Sequence, residues 1–140
     1  GYPEKHFEAP NFDVDLDFLK AKVDAGAEYI VTQMFFDNSK YFKFVEACRN
    51  AGITVPIIPG LKPVTSGKQV NALPPVFYID FPQDLINEVQ KCSDRDAVKA
   101  VGVEWAVQQC KELIEYGVPC LHFYTMGDWR TTKAIVEQIV

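Results

Sequence analysis

Apolar residues fall at Leu16, Leu19 and Val23 with charges between them. This i, i+3, i+7 spacing turns one helical face toward a core and predicts a helix over residues 12–25, stopped by Gly26. The near-continuous apolar run 29–36 predicts a buried strand. Asp37-Asn38-Ser39 then offers capping oxygens, and Tyr41, Phe44, Val45 and Cys48 form a second helical stripe ending at Ala51-Gly52. Residues 55–58 read as a short buried strand, 59–63 as a stiff turn and 67–73 as a short helix. A third strand is expected at 76–79, weakened by Pro74-Pro75 before it and Pro82 after it. Pro82 suits the first turn of a helix running to about Cys92. Asp94 opens a longer helix through Val98, Val101, Trp105, Val107 and Leu113 to Tyr116, which Gly117 ends. Residues 120–125 read as a fourth strand and 129–140 as a closing helix.

Four strand-and-helix units with apolar strands predict an α/β fold, a parallel sheet covered by helices. If the helices share one face, the strands curl toward a (β/α)8 TIM-type barrel, which takes about 250 residues and eight strands; this chain supplies about half. An open half leaves two unpaired edges and an apolar inner face. It then either associates with a copy of itself, as a homo-oligomer, or belongs to a longer polypeptide. A small doubly wound sheet with helices on both faces stays open as the competing architecture. No linker or low-complexity stretch divides residues 1–140, so one domain is expected.

Composition narrows the class. The chain has 140 residues, 48% of them hydrophobic, enough for a real core. A net charge of −5 with no basic run argues against nucleic acid. No apolar stretch reaches the roughly 18–20 residues that span a bilayer. The N-terminus has no signal-peptide core, and a cytoplasmic protein is expected. Cys48, Cys92, Cys110 and Cys120 are widely spaced with only two histidines in the chain, which favours free thiols over a metal site. A start at Gly1 that reads as loop interior suggests a fragment.

In parallel barrels functional groups gather where strands end, which singles out Gln33, Lys62 and Thr125. Strand alternation groups Val31, Gln33 and Phe35 on one face, and Ile30, Thr32 and Met34 on the other. A buried amide without partners costs about 1–3 kcal/mol. Gln33 therefore either meets a ligand or bonds a neighbouring backbone group.

The segments Gly1-Tyr2-Pro3-Glu4-Lys5-His6, Lys22-Val23-Asp24-Ala25-Gly26-Ala27, Thr32-Gln33-Met34-Phe35-Phe36-Asp37, Pro56-Ile57-Ile58-Pro59-Gly60 and His122-Phe123-Tyr124-Thr125 occur in that order. Together they resemble the methylenetetrahydrofolate reductase family, over essentially the whole chain and in the C-terminal half of its flavin-binding barrel. The resemblance implies an FAD enzyme that passes a hydride from NADH or NADPH to 5,10-methylenetetrahydrofolate, yielding 5-methyltetrahydrofolate. It implies flavin contacts at Tyr2, His6, Ala9, Asp15 and Lys22, and folate contacts at Gln33, Gln69 and Leu73. Residue chemistry alone reads three of these differently: Lys22 as a solvated charge, Asp15 as a helix cap and His6 as an exposed loop residue. Many members continue Phe-Tyr-Thr with Leu-Asn-Arg, whose arginine contacts folate. This chain instead reads Met126-Gly127-Asp128-Trp129-Arg130, so Asp128 is not given that role, and Arg130 takes it only if the loop is differently shaped. The family's catalytic glutamate and flavin-side aspartate have no match here, and Glu4 is not that acid. The 140 residues alone are therefore expected to be a noncatalytic, self-associating module or an incomplete piece of the enzyme.

Overall fold

The structure is a computed structural model that describes residues 1–4 and 11–140. Among the described residues six helices and four short strands follow in the order α1 (Phe12–Asp24), β1 (Ile30–Val31), α2 (Asn38–Asn50), β2 (Ile57–Ile58), β3 (Gly60–Leu61), α3 (Gln69–Phe77), α4 (Gln83–Gln90), α5 (Arg95–Tyr116), β4 (His122–Phe123), α6 (Trp129–Ile139). β1 pairs with β2 and β3 with β4, both in parallel. Pro59 divides β2 from β3 and, having no N–H, can only accept: its carbonyl takes the His122 N–H at 3.1 Å. On the other side of β1, the Gly1 amino group donates to Val31 O at 2.9 Å, and Gln33 N donates to Gly1 O at 2.6 Å. That is the bonding pattern of a parallel neighbour. The lateral order is thus Gly1, β1, β2 with β3, then β4, the order of the sequence.

Local chemistry explains the helices. Asn11 caps α1 by accepting from Val14 N at 2.9 Å, and Asp94 caps α5 by accepting from Ala97 N at 2.8 Å. α1 ends where Gly26, at φ +119°, donates to Val23 O while Ala27 N reaches Lys22 O, a closure that puts glycine in a conformation costly for L side chains. Phe12, Leu16, Leu19 and Val23 form the helical stripe that packs against the core.

The core has two parts. One gathers Ile30, Phe35, Tyr41, Phe44, Cys48, Ile57, Leu61, Cys110, Leu113 and Ile135. The other gathers Met34, Phe36, Val64, Leu73, Ile79, Leu85, Val89 and Val98. Each such side chain contributes about 1.5–3 kcal/mol when fully buried.

Several sequence expectations need correction. The run 29–36 is strand only at Ile30–Val31, although Thr32 N extends the ladder to Ile58 O at 3.0 Å. Beyond it the backbone groups are met by side chains of α5. Gln109 Nε2 donates to Phe35 O at 3.2 Å, and Trp105 Nε1 to Phe36 O at 2.9 Å. Alternation fails there too, since Phe35 joins Ile30 in one core while Met34 and Phe36 fill the other. The strand expected at 76–79 does not form. α3 starts at Gln69, two residues later than expected, carries Pro74 and Pro75 within it and runs to Phe77, where Tyr78 ends it at φ +53°. Ile79 is nevertheless buried, so the apolar signal marked burial without a ladder. The stiff turn expected at 59–63 contains β3, because the Gly60–Leu61 backbone finds β4 beside it.

Candidate functional site at the strand ends

Three strands are tied together at their carboxyl ends. Thr32, fully buried, accepts from Gly60 N through Oγ1 at 2.9 Å and donates to Gln33 O at 2.9 Å. Its carbonyl accepts from Tyr124 OH at 2.7 Å. Burial pushes the Tyr124 phenol above its ordinary value, and Tyr2 adds to the shift, which brings Tyr2 into its neighbourhood. Around this knot stand Gln33, Lys62 and Thr125.

Gln33 is half-buried, and its Oε1 accepts from Met34 N at 3.0 Å, the neighbouring-backbone bond that residue chemistry left open. Gln69 braces a turn: Oε1 accepts from Thr65 N at 2.7 Å, and Nε2 donates to Thr65 Oγ1 at 3.2 Å. Leu73 is buried in the second core. A cavity of about 200 Å3 lies past β3 and β4, walled by Lys62, Gln69, Arg95, Thr125, Asp128 and Thr132 among others. Burial pushes the Lys62 ammonium below its ordinary value, with Asp128 opposing. Wider grooves of about 570, 660 and 710 Å3 follow the helices, and none is lined by residues 30–33, 60–62 or 122–125.

Asp128 caps α6. Its Oδ1 accepts from Thr131 N at 3.2 Å and its Oδ2 from Thr131 Oγ1 at 2.6 Å, with Lys99 Nζ at 3.8 Å. The Thr131 hydrogen bonds, then Lys99 and Lys62, hold its carboxyl below the usual range. Arg130 stacks on Trp129, 5.2 Å from the ring centroid, and lines a groove of α5 and α6 instead of the strand-end cavity.

Of the residues the resemblance assigns to flavin, His6 and Ala9 lie outside the described residues. Lys22 and Asp15 both act on the charge of the Gly1 amino group, so they share a neighbourhood with the Gly1-Tyr2 segment. A cation for a pyrophosphate, a carboxylate for ribose hydroxyls and an aromatic ring fit the chemistry of a dinucleotide. Among the described residues no group of three His, Cys, Asp or Glu side chains is arranged to hold a metal. Sequence reading missed Thr32, whose signal was a hydroxyl within an apolar run, and Arg95, which carried no local signal.

Glu4 is the other polar feature. Its Oε1 accepts from Asp80 N at 3.1 Å, while Oε2 is buried without a partner among the described residues. Burial raises its pKa to about 7, against the opposing Asp80 hydrogen bond. With the folded value above the unfolded one, Glu4 favours folding fully below about pH 4.5 and loses that contribution as pH rises through about 7. Glu4→Gln is therefore expected to raise the melting temperature above neutral pH and to change it little in acid. Equal shifts at both ends, in melting curves across pH, would contradict this.

The chain is thus an α/β protein that gathers amide, ammonium and hydroxyl groups at the carboxyl ends of parallel strands, where parallel α/β barrels carry their functional groups. Residues 1–140 match the model of the methylenetetrahydrofolate reductase family, and the chain belongs to that family. It is 36% identical over 141 residues to a probable methylenetetrahydrofolate reductase (NADPH) of Caenorhabditis elegans, covering 99% of this chain and 21% of that protein. It is 39% identical over 137 residues to methylenetetrahydrofolate reductase (NADH) 1 of Arabidopsis thaliana, covering 91% and 23%. The chain thus spans under a quarter of the length of these two relatives. A solved structure of an uncharacterized protein from Clostridium thermocellum, which binds two copies of 5-methyl-5,6,7,8-tetrahydrofolic acid, shares the fold. Its TM-score is 0.60 at 19% identity, over 98% of this chain and 50% of that chain.

Proposed function

We propose that these 140 residues form, as one domain, the C-terminal half of a (β/α)8 reductase barrel. The parent enzyme reduces 5,10-methylenetetrahydrofolate to 5-methyltetrahydrofolate with NADH or NADPH and FAD. The observation that carries this is the family match over residues 1–140, joined to a polar cluster at the strand ends. The barrel reading is supported by parallel strands whose lateral order follows the sequence. Right-handed crossovers in that order lay successive helices on one face, whereas a doubly wound sheet reverses direction at a switch point. The open edges of such a half would be closed by further strands of the same polypeptide or by a second copy. Four free thiols suit the reducing cytoplasm.

In this reading Lys22 pairs with the flavin pyrophosphate, Asp15 accepts from ribose hydroxyls and Tyr2 covers a flat face, with His6 and Ala9 beside them. Bound FAD would supply the hydride chemistry. Gln33 matches the donors and acceptors of the pterin edge, exchanging its bond to Met34 N for ligand bonds. Gln69 steadies the turn beside the substrate, and Leu73 gives apolar support. The donor nucleotide is open between the two that the relatives' names carry.

The test uses the protein as its gene encodes it. A bound-flavin spectrum and oxidation of NADH or NADPH that depends on methylenetetrahydrofolate are expected, while the 140-residue segment alone should give no turnover. Gln33→Leu should raise the KM for folate about tenfold or more with the flavin spectrum unchanged. A colourless protein with no folate dependence would overturn the reading.

A further inference from the structure

We infer that the groove between α4, α5 and the start of α2 docks a basic polypeptide segment of a partner protein through the guanidinium of an arginine, an assignment independent of the folate reading above. The groove holds about 570 Å3, within the roughly 300–1,000 Å3 of pockets that enclose a ligand. Phe36, Pro82, Val101 and Trp105 give it apolar walls, and the carboxylates of Asp37, Glu88, Glu104 and Glu112 line it. Among the described residues no Lys, Arg or His stands in this wall. Glu88 has Lys91 at 3.0 Å, outside the groove, and Glu104 has no ion-pair partner among the described residues.

Hydrogen bonding leaves the groove a surface of acceptors. The side-chain donors around it are spent on the protein itself: Trp105 Nε1 donates to Phe36 O at 2.9 Å, Asn38 Nδ2 to Gln109 O at 3.1 Å and to Glu112 Oε2 at 2.6 Å, and Gln109 Nε2 to Phe35 O at 3.2 Å and to Asn38 Oδ1 at 3.0 Å. The exposed Gln108 is the exception. Gln109 lines the groove and is only 7% exposed, yet its Oε1 accepts from no donor among the described residues, although buried polar groups are generally paired. A donor entering the groove would satisfy it.

The fitting ligand must therefore bring N–H donors, positive charge and a flat face for the indole. A guanidinium carries five donors, no acceptor and a plane that stacks on aromatic rings, whereas an ammonium is a compact, strongly hydrated point charge. The apolar walls beyond the cation suit the residues that flank an arginine within a chain, as at interface centres where arginine and aromatic side chains meet.

The test titrates the protein as its gene encodes it with a fluorescently labelled peptide, acetyl-Leu-Arg-Leu-Arg-Leu-amide, and with versions carrying lysine or citrulline in place of arginine. The arginine peptide should bind tightest, the lysine peptide severalfold more weakly, and the citrulline peptide, planar but uncharged, least. Glu104→Gln should weaken the arginine peptide about threefold to fivefold. Glu115→Gln makes the same charge change at an exposed position of α5 outside the groove and should leave binding unchanged. Glu104 is exposed, so its variant should melt like the wild type. No binding of the arginine peptide, equal binding of the lysine peptide, or equal loss in the two variants would overturn the assignment, as would arginine amide alone binding as tightly as the peptide. A dimer that the peptide converts to monomer in light scattering would also overturn it, since a second copy would then be the occupant. None of these outcomes alters the folate reading.

Discussion

Gly102→Ala is expected to destabilise the protein by about 3 kcal/mol or more, at the upper end of overpacking costs, and to lower its melting temperature by roughly 10 °C. Gly102 lies within α5, where the helix meets the backbone of Val64 directly. A Cβ there would fall inside contact distance of Val64 O and 2.8 Å from Val64 C. A flexible side chain could turn aside; a peptide group cannot. Either α5 lifts off or the segment from Lys62 to Thr65 shifts, and Val64 is anchored in the core with Met34, Phe36, Leu85, Val89 and Val98. Gly67→Ala is the control, since the nearest atom to its added methyl is Val89 Cγ1 at 4.0 Å. It should be near neutral. Thermal and urea unfolding of both variants decide the matter, and comparable stabilities would refute direct helix-to-backbone packing.

That contact joins residues 38 positions apart, and such separation marks what sequence pattern could not reveal. Helices α2, α5 and α6 were legible because each carries its own punctuation: Asp37, Asp94 and Asp128 accept backbone N–H groups at the starts, and Gly52 and Gly117 stand at two of the ends. The strands were harder. Apolar runs report burial, whereas a strand also needs a neighbouring backbone, and at Phe35 and Phe36 the neighbour proved to be side chains of α5. The same distinction accounts for 76–79, buried at Ile79 yet unpaired, and for Gly60–Leu61, paired although proline-flanked. At the site, Gln33, Lys62 and Thr125 followed from the strand-end rule. The interaction that fixes them did not, because Tyr124 reaches Thr32 across 92 residues.

The largest expected effect on ligand binding arises at that knot, through a residue with no side chain. Gly60 is buried where the strands converge. A Cβ on it would overlap Thr32 O and stand 2.7 Å from Tyr124 Cε2, the two groups whose hydrogen bond closes the junction. Gly60→Ala must therefore spread the ends of β1 and β4, displacing Gln33 on one side and Thr125 on the other. Because misplacement of about 1 Å can cost a hundredfold in an organised site, folate affinity should fall further than in Gln33→Leu, along with a loss of stability of about 2 kcal/mol or more. The geometry also orders the rescues. Tyr124→Ala added to Gly60→Ala removes the ring and should recover part of the stability, while the overlap with Thr32 O persists and binding should stay low. Tyr124→Phe alone keeps the ring, loses only the 2.7 Å bond to Thr32 O, and should cost about 1 kcal/mol. Full recovery of affinity in the double variant would mean that ring packing, and not the spacing between strands, holds the site together.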